Sequence, residues 1–136
     1  MAMEIHECVA FMLVNNEQVL LEQRSLLKTI DPGAIAIPAG HIEAGETQGQ
    51  ALLRELEEEL TIAPLHYYYL CSLYHPTQEL ELHHYYVITT WHGNIRAQEA
   101  DEVMWHALTD APVAGMADIL AIQEYIRLKD TLTIKP

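Results

Sequence analysis

The segment from Gly40 to Ile62 constrains the fold of this chain more than any other stretch. It reads GHIEAGETQGQALLRELEEELTI, which predicts a glycine turn and then a helix that has Thr47 as its N-cap and runs to about Leu60. Four leucines predict the side of this helix that packs on a core: Leu52, Leu53, Leu56 and Leu60. Such a helix needs an apolar surface to lie on, and the rest of the chain must supply it.

The glutamates of the same helix form a separate face. At about 100° per residue, Glu58 and Glu59 lie within roughly 60° of Glu55, on either side of it, whereas Glu57 points toward water. Carboxylates this close raise one another's pKa unless a cation sits among them. Their oxygens suit Mg²⁺ or Mn²⁺. A solvated surface helix with pairs such as Arg54 with Glu58 would have the same composition, so the helix alone leaves both interpretations open.

Strand patterns flank this helix on both sides. Segments rich in β-branched and aromatic residues predict strands at 8–14, 19–23, 34–37, 65–74, 80–91 and 103–108. The first hairpin is expected to turn at Asn15-Asn16, and the two long strands to join at residues 76–78. A closing amphipathic helix is predicted over residues 115–128, with a frayed tail from Lys129. This order predicts an α/β fold with a mixed sheet between helices, in a single domain spanning residues 1–136.

The charge balance limits the partners of the chain. Seven basic residues against twenty acidic ones give a net charge of −13, which argues against binding a nucleic acid polymer. A single nucleotide differs, because a metal ion can bridge its phosphates to carboxylates.

Cysteine and histidine usage points to a reducing compartment without a structural zinc site. Cys8 and Cys71 are far apart in apolar surroundings and are expected to be free thiols. The eight histidines, His75 and the pair at 83–84 included, lack the spacing of a structural zinc site. The apolar run near the N-terminus is too short for a membrane span and lacks the basic region of a secretory signal. We therefore expect a cytoplasmic protein without a membrane partner.

The segment around the glutamate helix resembles the signature of the Nudix hydrolases, G-x5-E-x7-R-E-U-x-E-E-x-G-U, in which U is aliphatic. The matching positions are Gly40, Glu46, Arg54, Glu55, Leu56, Glu58, Glu59 and Ile62. The preceding Ile37-Pro38-Ala39 resembles the usual lead-in. Thr61 departs from the signature, because the family has a glycine there. A β-branched residue adopts a left-handed conformation poorly, so the helix end is expected to be strained or to terminate differently.

The resemblance implies an α/β/α sandwich and a reaction in which a metal-activated water attacks a phosphorus of a nucleoside diphosphate linked to another moiety. By motif position, Glu58 and Glu59 are the expected ligands of Mg²⁺, or of Mn²⁺. Glu55 is either a further ligand or a proton acceptor, and the backbone carbonyl of Ala39 completes the set. Arg54 is expected to orient the glutamates by ion pairing.

Other roles implied by the resemblance lie outside the helix. Glu46 is expected to support the Gly40 turn or a metal ligand from behind. In some members the general base comes from an acidic residue on a later loop, and Glu99 is the candidate here. A homodimer is expected by analogy with the family alone.

Residues 83–108 are similar to the MutT-type nucleoside triphosphate pyrophosphohydrolases, in which an aromatic strand precedes an acidic loop and a strand that carries Trp. Asp118, at the start of the last helix, is a candidate reader of the base edge. The leading expectation is therefore cleavage of a nucleoside triphosphate, possibly an oxidised one, to the monophosphate and pyrophosphate. Pro76 is also compatible with the subclass that hydrolyses ADP-ribose or another nucleotide sugar. A non-catalytic nucleotide sensor is the alternative from a different functional class.

Overall fold

The chain forms a mixed sheet with a helix on each face. The structure, a computed structural model, describes residues 4–98, 100 and 102–134, and only the backbone of residues 132–134. The described residues form seven strands: β1 (Ile5–Asn15), β2 (Gln18–Gln23), β3 (Ile35–Ala36), β4 (Ala39–His41), β5 (Ala63–Pro76), β6 (Leu80–His92) and β7 (Glu102–Ala107). The helices are α1 (Gln48–Leu60), a short 3₁₀ turn (Leu108–Asp110) and α2 (Met116–Ile134).

Strand β1 organises the sheet. Along one edge, β1 forms a parallel pair with β6, in which Ile5 lies opposite Leu80 and Leu13 opposite Ile88. The other edge is shared by β4, which pairs antiparallel at Cys8–Ala10, and by β2, which pairs antiparallel near Asn15. The sheet continues through β2 to β3 and β7, and through β6 to β5. One parallel pair among antiparallel ones makes the sheet mixed, as predicted.

Alternation along β1 assigns one helix to each face, because successive side chains point to opposite sides of a strand. Phe11 and Leu13 pack with the leucines of α1, whereas Ala10, Met12 and Val14 pack with α2. Both faces are therefore covered, which explains why residues 8–14 are buried without interruption. The predicted α/β/α sandwich is confirmed.

The local signals around α1 were read correctly. Thr47 is the N-cap: its hydroxyl accepts from the Gln50 amide at 3.1 Å, and Gln50 Oε1 accepts from the Thr47 amide at 2.9 Å. This reciprocal capping box satisfies amides that the first helical turn cannot pair internally. One detail was wrong, since Leu53 is 47% exposed and leaves the packing face to the other three leucines.

Several predicted boundaries were also wrong. The first hairpin turns at Asn16-Glu17, where both residues have positive φ, rather than at Asn15-Asn16. This is the conformation that a two-residue hairpin needs to match the twist of its strands. The link between β5 and β6 covers residues 77–79, one position later than predicted.

The last helix differs most from its prediction. It continues to Ile134 instead of fraying from Lys129. Among its described side chains, Ala117, Ala121, Ile122 and Tyr125 are buried, whereas Met116, Leu120 and Ile126 are exposed. Two small alanines and two larger side chains of this helix therefore pack in the same core cluster as strand β1. Among the described residues, neither long helix is apolar enough over a sufficient length to cross a membrane.

Candidate active site

Strand β4 and helix α1 meet at Gly40, and this contact builds the floor of the site. A Cβ at Gly40 would lie 2.0 Å from Cδ of Glu55 and 2.1 Å from its Oε2. Glu55 therefore occupies the space that any other residue at position 40 would fill. The Glu55 side chain is buried against the strand, although it carries a carboxylate. The need for glycine here comes from the close approach of Glu55. It does not come from backbone conformation, because the φ of Gly40 is not in the left-handed region.

Arg54 ties the turn to the glutamate face. Its Nε and Nη2 donate to the two oxygens of Glu46 at 2.7 and 2.8 Å. Its Nη1 donates to Glu55 at 2.8 Å and to Glu58 at 3.0 Å. Nη2 also donates to the carbonyl of His41 at 2.9 Å. One planar guanidinium thus holds carboxylates on both sides of the site in fixed positions.

The same hydrogen bonds shift the pKa values of Glu46 and Arg54 in opposite directions. Hydrogen bonds from Arg54, and then from the Glu43 amide, lower the pKa of Glu46 to about 2. Hydrogen bonding to Glu46 raises the pKa of Arg54 above its usual range. Glu46 is therefore an anion that stabilises Arg54, and this geometry agrees with the predicted supporting role of Glu46.

The glutamates of α1 divide as their spacing predicted. A cleft of about 350 Å³ is lined by Glu55, Glu58 and Glu59 together with Ala39 and Gly40. Glu57 is exposed and does not line the cleft. Three carboxylates accompanied by one guanidinium form a hard, oxygen-rich donor set, which suits Mg²⁺ or Mn²⁺ better than softer ions. The residues present fit a divalent ion, and the individual ligand assignments stay predictions.

Asp118 lies in the same cleft, contributed by the first turn of α2. It is 4% exposed, and its oxygens accept from the Ile37 amide at 2.9 Å and from the Tyr85 hydroxyl at 2.7 Å. Burial raises the pKa of Asp118, although these hydrogen bonds act against the shift. Each carboxylate oxygen has two lone pairs, so a further donor can still be accepted. The base-reading role stays a prediction.

Glu99, the predicted general base, lies outside the described residues. Its neighbour Ala100 lines the cleft.

Two cations that line the cleft are not among the site residues predicted from the sequence. Arg24 and Lys28, on the segment that follows β2, line the cleft together with Glu22. Glu22 is buried, which raises its pKa, and Arg24 counteracts the shift through an ion pair at 3.3 Å. A signal for these residues was available, because two of only seven basic residues occur within this one short loop.

Comparisons with known proteins agree with the resemblance of the sequence to the Nudix hydrolases. The family model of the NUDIX domain matches residues 5–125. The CTP pyrophosphohydrolase of Escherichia coli is 30% identical over 131 residues, covering 93% of this chain and 96% of that protein. The 8-oxo-dGTP diphosphatase of Haemophilus influenzae is 36% identical over 108 residues, covering 74% of this chain and 77% of that protein.

A solved structure extends the likeness to three dimensions. The solution structure of the E. coli ORF135 protein has a TM-score of 0.79 at 28% identity and covers 95% of this chain and 94% of that one. The family match spans most of the sequence and includes the whole glutamate helix and the sheet that supports it. This chain therefore belongs to the Nudix hydrolase family.

Proposed function

We propose that this chain is a divalent-metal-dependent hydrolase that cleaves a nucleoside triphosphate to the monophosphate and pyrophosphate. One observation carries the proposal: the cleft combines the glutamates of α1 with Arg24 and Lys28. Carboxylates hold metal ions, and the cations meet phosphate oxygens that the metal does not reach. The names of the two curated relatives, a CTP pyrophosphohydrolase and an 8-oxo-dGTP diphosphatase, support the same substrate class.

The predicted site residues have distinct parts in this mechanism. Glu58, Glu59, Glu55 and the Ala39 carbonyl would hold the ion, which when bound neutralises phosphate charge and acidifies a water molecule. Arg54 keeps Glu55 and Glu58 in position through the hydrogen bonds described above. The general base is assigned to Glu99 as part of the proposal.

The base end of the substrate is assigned to Asp118. A carboxylate accepts hydrogen bonds, so Asp118 favours a base that presents an exocyclic amino group, such as the N4 amino group of cytosine. This preference agrees with the substrate in the name of the E. coli relative.

The proposal is tested by measuring pyrophosphate release from a panel of nucleotides with Mg²⁺. The panel contains CTP, dCTP, dGTP, 8-oxo-dGTP and ADP-ribose, the last assayed for monophosphate products. We expect a triphosphate to be the best substrate. In Glu59→Gln, loss of several kcal/mol of charge stabilisation should lower kcat/KM by roughly 10²-fold or more. The matched control Glu57→Gln changes the same helix on its exposed side and should keep the activity.

Other outcomes would redirect the proposal. Faster turnover of ADP-ribose than of any triphosphate would support the nucleotide-sugar alternative. Tight binding without metal-dependent turnover would indicate a nucleotide sensor. Equal activities of Glu59→Gln and wild type would refute the metal-ligand assignment.

The surroundings in which the enzyme works are part of the same proposal. A cytoplasmic location is supported by Cys8 and Cys71, which are both free. A homodimer rests on family analogy alone, and sedimentation equilibrium of the purified chain tests it.

A further inference from the structure

Two histidines and a glutamate from separate parts of the sequence converge at the edge of the cleft, which His41 also lines. His6 lies on β1, His41 ends β4, and Glu79 precedes β6. The Nε2 atom of His41 lies 2.6 Å from Glu79 Oε1, and that of His6 lies 3.4 Å from Glu79 Oε2. Each of the three residues offers one possible ligand atom, and these three atoms all lie within 4.8 Å of one another.

Strand register is what brings these side chains together. The parallel pairing of β1 with β6 sets His6 opposite Glu81, and the antiparallel pairing of β1 with β4 sets Cys8 opposite His41. Glu79 lies just before β6, and its carboxylate oxygens are within 3.4 Å of both histidines.

We propose that His6, His41 and Glu79 bind one Zn²⁺ ion. None of the α1 glutamates is a ligand of this ion. Imidazole and carboxylate are a donor set that suits zinc, whereas Mg²⁺ prefers oxygen alone. Ligand atoms around a tetrahedral zinc lie about 3.3 Å apart. The separation between His6 and Glu79 matches this spacing, and His41 needs to move from Glu79 by less than an ångström.

Glu81 supports the site. Its Oε2 lies 3.6 Å from Nε2 of His41, where it can complete the coordination or accept from a bound water. Its other oxygen lies 2.7 Å from Nε2 of His83. This contact orients the Glu81 carboxylate from behind, as the outer partners of metal sites do.

A deeper arrangement of Cys8, His41 and Glu81 is also within coordinating distance. It is the poorer site, because Cys8 is 2% exposed. His41 is half exposed and Glu79 partly so, which leaves the outer site open to ions from solvent.

The test is a Zn²⁺ titration of chelator-treated protein by calorimetry, in excess Mg²⁺ so that the carboxylate site is saturated. Co²⁺ absorption serves as a second probe of nitrogen and oxygen coordination. We expect one ion per chain, with affinity reduced about tenfold or more in His6→Gln and in His41→Gln. The double variant Glu58→Gln/Glu59→Gln should keep the site. His92→Gln changes an exposed histidine at the far end of β6 and should also keep it.

The site is also expected to raise the thermal unfolding midpoint when Zn²⁺ is added, because an ion that binds only the folded state stabilises it. Both histidine variants should unfold like the wild type without metal and lose the zinc-dependent increase. Absence of Zn²⁺ binding would refute the proposal. So would binding that survives both histidine changes, or that disappears in the double glutamate variant. Binding lost in Cys8→Ser but kept in His6→Gln would assign the ion to the deeper arrangement instead.

Discussion

At Gly40 a missing side chain leaves the space that the Glu55 carboxylate occupies. Glu55 lies against the backbone of β4, in the volume that a Cβ would occupy. Arg54 then holds that carboxylate from the other side at 2.8 Å. Position 40 is therefore a packing requirement of the active site rather than a flexible hinge, and its effect should be visible in catalysis more than in folding.

Gly40→Ala tests this role. The new methyl group must displace Glu55, and a misplacement of about 1 Å can cost roughly 10²-fold in rate. We expect kcat/KM for the best triphosphate to fall by about that factor. Gly49→Ala is the matched control, because its Cβ would meet nothing closer than the Thr47 hydroxyl at 4.0 Å. It should keep full activity and gain stability, by about 0.5–1 kcal/mol. Equal activity of the two variants would contradict the packing role.

At the scale of elements, the end of α1 carries the departure from the family signature. Thr61 adopts the left-handed conformation, with φ 60° and ψ 37°, as the glycine it replaces would. Its hydroxyl donates a hydrogen bond to the carbonyl of Asn94, on the loop after β6, at 2.8 Å. The helix thus terminates at the expected residue, and a side-chain hydrogen bond accompanies a backbone conformation that β-branched residues disfavour.

Comparing Thr61→Gly with Thr61→Ala isolates the cost of this conformation. Both variants lose the hydroxyl, so the bond to Asn94 cancels between them. Thr61→Gly should be more stable by about 1 kcal/mol, because only glycine enters the left-handed region without penalty. Urea unfolding midpoints measure the difference. If the two variants unfold together, position 61 does not hold a left-handed residue in solution.

At the scale of the whole molecule, the scarce cations are concentrated at the site. Three of the seven basic residues line the cleft: Arg24, Lys28 and Arg54. The remaining surface is strongly acidic and repels polyanions. Under the proposed function, we expect these cations and a bound divalent ion to attract the phosphates of a nucleotide to the cleft.

The loss of folding stability at low pH follows from two glutamates whose pKa values are lowered in the folded state. The pKa values of Glu46 and Glu81 are lowered from 4.5 to about 2. A group with a depressed folded pKa stabilises the fold above its unfolded pKa and loses that contribution as pH falls through the folded value. Burial raises the pKa of Asp118 and Glu22, so these two act in the opposite direction. Stability should therefore decline between about pH 4.5 and pH 2 through Glu46 and Glu81.

Glu46→Gln measures one part of this decline. The variant should be less stable than the wild type at neutral pH, because Arg54 loses its bidentate partner. The gap between their urea midpoints should narrow as pH falls from about 4.5 toward 2, since the wild-type carboxylate becomes neutral too. Glu57→Gln, on the exposed side of α1, provides the control. A gap that stays constant with pH would show that the Arg54 pair does not depend on the charge of Glu46.

The sequence by itself determined the parts of this protein that depend on near neighbours. Within a helix, spacing alone sets which residues share a face. The cap at Thr47, the end near Leu60 and the division of Glu55, Glu58 and Glu59 from Glu57 were therefore predictable.

Tertiary structure decided the rest. The contact of Gly40 with Glu55, the arrival of Arg24 in the cleft and the exposure of Leu53 depend on how β4, β2 and α1 pack. The convergence of His6 and His41 depends on the antiparallel register of β1 and β4, and the position of Glu81 beside them depends on the parallel register of β1 and β6. Periodicity carries no information about register or strand order, because a strand has the same pattern whichever neighbour it pairs with.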